Sequence, residues 1–225
     1  MRVVSVLVIC ASVLMGCNTV NTRSDPTLEA QTIVDEAQIV VERFMTSDKA
    51  DSIKALISSA KGVIIYPNIV KAAFFVGGEG GTGVLLGRLH DGVWSSPAFY
   101  SFGAASYGLQ FGAEQSNVLL VVTNEATLDR LTQGGVELGA TASVAAGTEG
   151  FKGQVSSDQL QDIYYFVEVE RGLFAGVNLK GATAVPRDGL NAAYYGKSVT
   201  PREIVIDGNE HNPAAAGLKA ALSGS

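Results

Sequence analysis

Cysteine is nearly absent from this 225-residue chain, with 2 in total, and histidine is equally scarce. Both cysteines, Cys10 and Cys17, fall within or at the end of the first apolar run, so the body of the chain has no thiol for a disulfide, a nucleophile or a metal. His90 and His211 show no H-E-x-x-H or other paired-ligand spacing, and His90 adjoins an Asp-Gly turn, which argues against a dedicated metal site. Positive charge is also short: 16 Lys+Arg against 22 Asp+Glu give a net charge of −6. Nucleic acid is a poor partner for such a surface, because phosphate binding needs a basic face. Only 6 prolines occur and the 26 glycines follow no collagen period, while 47% of residues are hydrophobic, so the chain has the material for one packed core.

The first residues do carry a pattern. Met1-Arg2 is a small positive region, Val3 to Met15 is almost uninterruptedly apolar, and Leu14-Met15-Gly16-Cys17 closes the run. The run is shorter than the roughly 20 residues that span a bilayer. It resembles a bacterial lipoprotein signal, with residues 1–16 removed and Cys17 lipidated. Without Arg2 the processed chain has 15 Lys+Arg against 22 Asp+Glu, a net −7. Asn18 after the cysteine is not the aspartate that retains enterobacterial lipoproteins in the inner membrane, so the expectation is an outer-membrane, periplasm-facing protein. Residues 17–24 are polar and aperiodic and read as a lipidated tether. Residues 25–225 then read as a single domain, with a tail of different composition from about residue 200.

Asp25-Pro26 pairs a helix N-cap with proline at the first helical position, and Ile33, Ala37, Val40, Val41 and Phe44 follow at helical spacing. A second helix is expected from Ser47 or Asp48, with Ile53, Leu56, Ile57 and Ala60 on one face. From Gly62 the period becomes that of strands, in short runs such as GVIIY, GVLLGRLH, NVLLVVT and IYYFVEVE. Tyr66-Pro67-Asn68 and Asp91-Gly92 read as turns. Asn124 is placed to cap a helix over Glu125 to Gln133 that stops at Gly134, and Pro213 to Leu222 reads as a terminal helix. The fold class is therefore α+β: a β-rich curved sheet, sandwich or barrel-like, with two N-terminal helices and one or two others.

Two enzyme-like signals fail on context. Gly78-Glu79-Gly80-Gly81-Thr82-Gly83 has the G-x-G-x-x-G spacing, but no helix opens after it and no acidic residue follows about 20 positions on, so no nucleotide or other cofactor is expected. These glycines read instead as a hairpin connection and as places where backbones pack closely. Ala104-Ala105-Ser106-Tyr107-Gly108 loosely imitates a nucleophile elbow, and Asp207 and His211 follow in hydrolase order. An elbow needs strand, sharp turn and helix, whereas Leu109-Gln110-Phe111-Gly112 reads as strand. Asp207 and His211 also read as surface tail, so a non-enzymatic chain is expected.

Several segments together carry a resemblance: KGVIIYP at 61–67, FFVGGEGGTGVLLGR at 74–88, WSSPAFY at 94–100, GLQFG at 108–112 and RGLFAG at 171–176. In order and spacing they resemble the SYLF domain, over roughly Ala30 to Pro201. Eukaryotic members of that family are phospholipid-binding modules attached to SH3 or FYVE domains, some engaging actin; bacterial members are single-domain exported or lipidated proteins. The resemblance implies a phospholipid membrane as partner, with phosphoinositide preference and actin not carried over. Within the matching segments the basic residues are Lys61, Lys71, Arg88, Lys152, Arg171 and Lys180. Lys61, Lys71 and Arg88, next to strand ends and the glycine-rich stretch, are the expected headgroup cluster, with Arg171 as a fourth contact. Trp94, Phe99, Tyr100, Phe102 and Tyr107 could line a groove, although aromatics at strand spacing are more often core. An envelope protein partner is the alternative reading.

Overall fold

The computed structural model describes residues 25–74, 76–107, 112–138, 142–144, 162–171, 179 and 181–224. The lipobox, Cys17, the tether, Lys152 and Lys180 lie outside the described residues, as do most of GLQFG and RGLFAG.

Helix α1 spans Pro26–Thr46, capped by Asp25, whose carboxylate accepts the Thr27 amide at 2.9 Å. Its apolar positions, from Ala30 through Ile33, Ala37 and Val41 to Phe44, are buried as their spacing predicts. Helix α2 spans Ala50–Ser59 and buries Ile53 and Ile57. It starts later than Ser47 because Ser47 closes α1 instead: its hydroxyl donates to the Phe44 carbonyl at 2.7 Å and accepts from the Lys49 amide at 3.3 Å.

The strands are β1 (Gly62–Phe74), β2 (Val76–Gly87), β3 (Ala98–Tyr107), β4 (Gly112–Val122), β5 (Val136–Glu137), β6 (Ala142–Val144), β7 (Ile163–Arg171) and β8 (Thr183–Pro186). Helix α3 (Glu125–Gln133) follows β4, capped by Asn124 as its sequence indicates. They form one curved sheet in the order β5-β8-β3-β2-β1-β4-β7-β6, antiparallel except at the β6–β7 edge. The α+β class and the curved sheet match the sequence reading. After β8 come α4 (Asp188–Tyr195), α5 (Pro201–Val205), a 3-10 turn (Pro213–Ala215) and α6 (Ala216–Ser223).

Two local readings are corrected. Tyr66-Pro67-Asn68 is a bulge inside β1 rather than a turn: pairing with β2 jumps from Ile65 to Val70, and Asn68 holds φ 62°, a left-handed value asparagine tolerates. The glycine-rich stretch lies within β2, not in a connection. At Gly83 the need is steric, since a Cβ would stand 2.1 Å from the Ile65 carbonyl oxygen beside the bulge.

Alternation along the strands sends Val63 and Ile65 to one buried layer and Ile64 and Tyr66 to the other. The first layer is closed by α1, α2, α4 and α6, the second by α3 and α5. The chain after residue 200 is thus no surface tail: Ile204 and Val205 enter one layer, Leu218 and Leu222 the other. Helix α4 escaped the sequence reading because its opening Arg187-Asp188-Gly189, after Pro186, has turn composition.

Candidate functional site

The bulge divides the sheet into two halves, and α1 lies along the division. At its first turn Glu29 sits 3.4 Å from Arg187, which donates to the Thr82 hydroxyl in β2 at 2.9 Å. Near its last turn Arg43 pairs with Glu168 in β7 at 2.9 Å. Glu168 also accepts from the Asn117 amide group at 3.0 Å, and Asn117 accepts the Asn68 backbone N–H at 3.1 Å. A continuous polar chain therefore joins the helix to the bulge. Arg187, at the head of the unforeseen α4, and this chain were both missed by sequence reasoning, because their partners lie 49 to 158 residues away.

The expected basic cluster does not form. Lys61 and Arg88 meet at the base of β1 and β2, where the Arg88 amide donates to the Lys61 carbonyl at 2.8 Å. Lys71 lies ten residues along, about 30 Å away at strand rise. The Arg171 backbone stands in register with Gln115, itself opposite Val70, so Arg171 shares the Lys71 end. Nothing is described of its side chain. The four residues divide two and two, because the glycines thought to turn the chain back keep it extended.

Their environments also differ. The Lys61 side chain is exposed. Arg88 spends its donors on backbone: Nη2 on Ile57 O at 2.9 Å, Nε on Ala60 O at 3.3 Å and Nη1 on Gly92 O at 2.9 Å. The first two are carbonyls at the C-terminal end of α2; that of Ile57 also accepts the Ala60 N–H at 3.1 Å. Its guanidinium also covers the Trp94 ring at 4.1 Å, and burial draws its pKa below the ordinary arginine value. Arg88 is thus a clamp between α2 and the Asp91-Gly92 turn. Lys71 Nζ is 3.0 Å from Glu79 Oε1, its register neighbour on β2, and the Glu79 side chain is fully buried.

Trp94, Phe99, Tyr100 and Phe102 are all core, at 3% exposure or less; the Tyr107 side chain is outside the description. Burial raises the hydroxyl pKa of Tyr66, Tyr100 and Tyr195, and that of Tyr194 to about 12.

The hydrolase set is not assembled. Ser106 lies inside β3, opposite Gly77, with no elbow. His211 adjoins Asn212, whose amide donates to the Ser96 hydroxyl at 3.2 Å. Ser96 precedes β3, ten residues and about 30 Å of strand from Ser106. Among the described residues no three His, Cys, Asp or Glu side chains are grouped to hold a metal, and no helix is long and apolar enough to cross a membrane.

The family model described as "Ysc84: Las17-binding protein actin regulator" matches residues 103–225. The SH3 domain-containing YSC84-like protein 1 of Bos taurus is 31% identical over 164 residues, covering 72% of this chain and 47% of the relative. An SH3 domain-containing protein of Schizosaccharomyces pombe is 30% identical over 167 residues, 72% and 38% of the two chains, and Protein YSC84 of Saccharomyces cerevisiae 29% over 166 residues, 72% and 35%. The chain spans less than half the length of these relatives. With a family match across more than half of its residues, including the C-terminal helices that close both layers, the protein belongs to the Ysc84 family, whose shared unit is the SYLF domain.

Proposed function

We propose that this protein is a non-enzymatic lipoprotein of the bacterial cell envelope whose SYLF domain binds phospholipid surfaces while acyl chains on Cys17 hold it to the periplasmic side of the outer membrane. The observation that carries this reading is the spacing of the anchor and the domain. The lipobox ends at Cys17 and the first helix is capped at Asp25, so eight residues, at most about 27 Å, tie the domain to the bilayer. A domain held this close meets lipid headgroups constantly, and even weak contacts then count through high effective concentration. Lys71 and Arg171, which share one end of the sheet, remain the headgroup contacts in this reading; Lys61 lies at the other end, and Arg88 acts by positioning.

A protein partner is the second reading. It is favoured by the name of the matching family, which includes Las17 binding, and by Leu28 and Ile39, exposed on the outward side of α1 at 65% and 55%.

Co-sedimentation tests the proposal. Residues 18–225 retain every described element and would be spun with vesicles of phosphatidylethanolamine alone or mixed with phosphatidylglycerol. Binding is expected, falling several-fold in the Lys71→Ala, Arg171→Ala double variant and changing little in Lys61→Ala. Absence of binding to every vesicle would overturn the lipid reading in favour of the protein partner.

A further inference from the structure

A helix of ten residues is not stable alone, and α2 has few anchors. Only Ile53 and Ile57 are buried, and its N-cap residue, Lys49, makes no side-chain capping bond. The Ser58 and Ser59 hydroxyls donate back to the Ala55 and Leu56 carbonyls of the same helix, at 2.7 and 3.1 Å, which adds no tie to the rest of the fold. Helix α1, by contrast, buries a residue on every turn and carries an ion pair toward each end.

Both ends of the α2 segment are pinned. Ser47 closes α1 on the Phe44 carbonyl, and the Lys61 N–H donates to the Val122 carbonyl at 2.8 Å beside the start of β1. A segment held this way cannot swing out as a rigid arm; it opens by unwinding. From Ser47 to Ala60 the chain covers about 20 Å as a helix and about 40 Å when extended, so unwinding is enough to lift it off the layer beneath.

Arg88 is what holds it down. Its bonds to Ile57 O and Ala60 O fasten the last turn, its third goes to Gly92 O, and among the described residues no carboxylate pairs with it. Neutral carbonyls hold a guanidinium less firmly than a carboxylate does. Under the guanidinium, 4.1 Å away, lies the Trp94 ring, 1% exposed, with an indole N–H that finds no acceptor among the described residues. A buried donor without a partner favours an opening that brings water to it. Because α2 fixes Arg88 and Arg88 covers Trp94, lifting the helix uncovers both.

We infer that α2 is a strap that opens as one unit while α1 and the sheet stay folded, with Arg88 as its latch and Trp94 as the residue it conceals. The inference is independent of the lipid-surface reading. Opening breaks the Arg88 bonds to Ile57 and Ala60 and withdraws Ile53 and Ile57 from the first layer. It presents a guanidinium, an indole donor and an apolar wall together at the base of the sheet.

Hydrogen exchange of residues 18–225 without denaturant, followed by NMR, tests this. Trp94 is the single tryptophan, so its indole proton is read without overlap. The α2 amides should exchange together, at least about 100-fold faster than those of α1 and β1, and the Trp94 indole proton should follow the α2 rate. Arg88→Met keeps an apolar cover on the ring but removes the latch, and should speed α2 and the indole by about tenfold or more while α1 and β1 keep the parent rates. Ser58→Ala with Ser59→Ala, both exposed, favours the helix and should slow α2 and the indole several-fold; it serves as the deciding variant if Arg88→Met does not fold. Exchange of α2 at the α1 rate in the parent overturns the strap. Equal acceleration of α1, α2 and β1 in Arg88→Met overturns the latch, and an indole proton that follows β1 while α2 exchanges fast overturns the concealment of Trp94.

Discussion

Below the bulge, β1 and its neighbours carry Val63, Ile64, Ile65, Val84, Leu85, Leu86 and Val118 to Val122, all fully buried. Above it the same strands carry Gly78, Gly80 and Gly103, an exposed Val70 and one buried ion pair. The strands are continuous, so the contrast is one of covering. Among the described residues, helices close both faces of the base, and α1 lies along the bulge. Tight packing is thereby concentrated in one half of a single strand. The base carries the fully buried aliphatic rows, while the described residues above the bulge are mostly small or polar.

The glycines offer the sharpest way to break this comparison. Gly83→Ala puts a methyl 2.1 Å from the Ile65 carbonyl oxygen, a backbone atom that cannot rotate away, so the variant should lose about 3 kcal/mol or more, or fail to fold. Three residues along, a Cβ on Gly80 has the Phe102 carbonyl as its nearest neighbour, at 3.8 Å. Gly80→Ala should therefore lie within about 0.5 kcal/mol of the parent or be slightly more stable, because alanine restricts the unfolded chain. Urea midpoints of the two variants decide it. Equal losses would mean that the hairpin half is as tightly packed as the base.

The ion pair gives a smaller effect and sharpens the comparison. Glu79→Gln leaves the Lys71 ammonium beside a neutral amide; complete burial of such an orphan costs about 3–5 kcal/mol, but Lys71 retains 16% exposure and can turn to water, so about 2 kcal/mol is expected. Replacing both partners, Lys71→Met with Glu79→Leu, should restore most of that loss in the same urea titration, since no charge is then left to desolvate. A double variant as unstable as the single one would show that the pair organises its half of the sheet instead of merely being tolerated there.

What the sequence disclosed follows the range of the interactions involved. The caps at Asp25 and Asn124, the apolar stripe of α1 and the Asp91-Gly92 turn are decided within a few residues, and all stand in the structure as read. The bulge reads as a turn in the sequence because Pro67-Asn68 has the same local chemistry in both, whereas one contact that fixes it, the Asn117 side chain accepting the Asn68 N–H, lies 49 residues on. Lys61, Lys71 and Arg88 looked adjacent because glycines between them suggested a fold-back. Ile65 packing against Gly83 explains that glycine without one. Arg88 in particular carried no sign of its duty, since its acceptors, the carbonyls of Ile57 and Ala60, lie 31 and 28 residues away and meet it only when α2 ends over the hairpin.

The smallest expected effect concerns pH and belongs to the base. Glu203 closes a capping box at the start of α5: its Oε2 accepts the Thr200 backbone N–H at 2.7 Å and the Thr200 hydroxyl at 2.7 Å, and Thr200 accepts the Glu203 amide at 3.3 Å. The backbone N–H, then the hydroxyl, hold its carboxyl below the usual glutamate pKa, with a lesser contribution from Lys197. A carboxylate with a depressed folded pKa adds stability that is complete above the unfolded value, near 4.3, and is lost as pH falls through the folded one. Glu203→Gln keeps an acceptor for the cap but cannot titrate. The urea midpoint of the parent should therefore exceed that of the variant slightly at pH 7, and the difference should shrink as pH falls below the unfolded value and vanish below the folded one. Because Glu203 is exposed, 0.5 M salt should reduce the difference. A difference constant from pH 7 to pH 3 would show that the cap gains nothing from the charge, and that the hydrogen-bond geometry alone starts α5 over the base of the sheet.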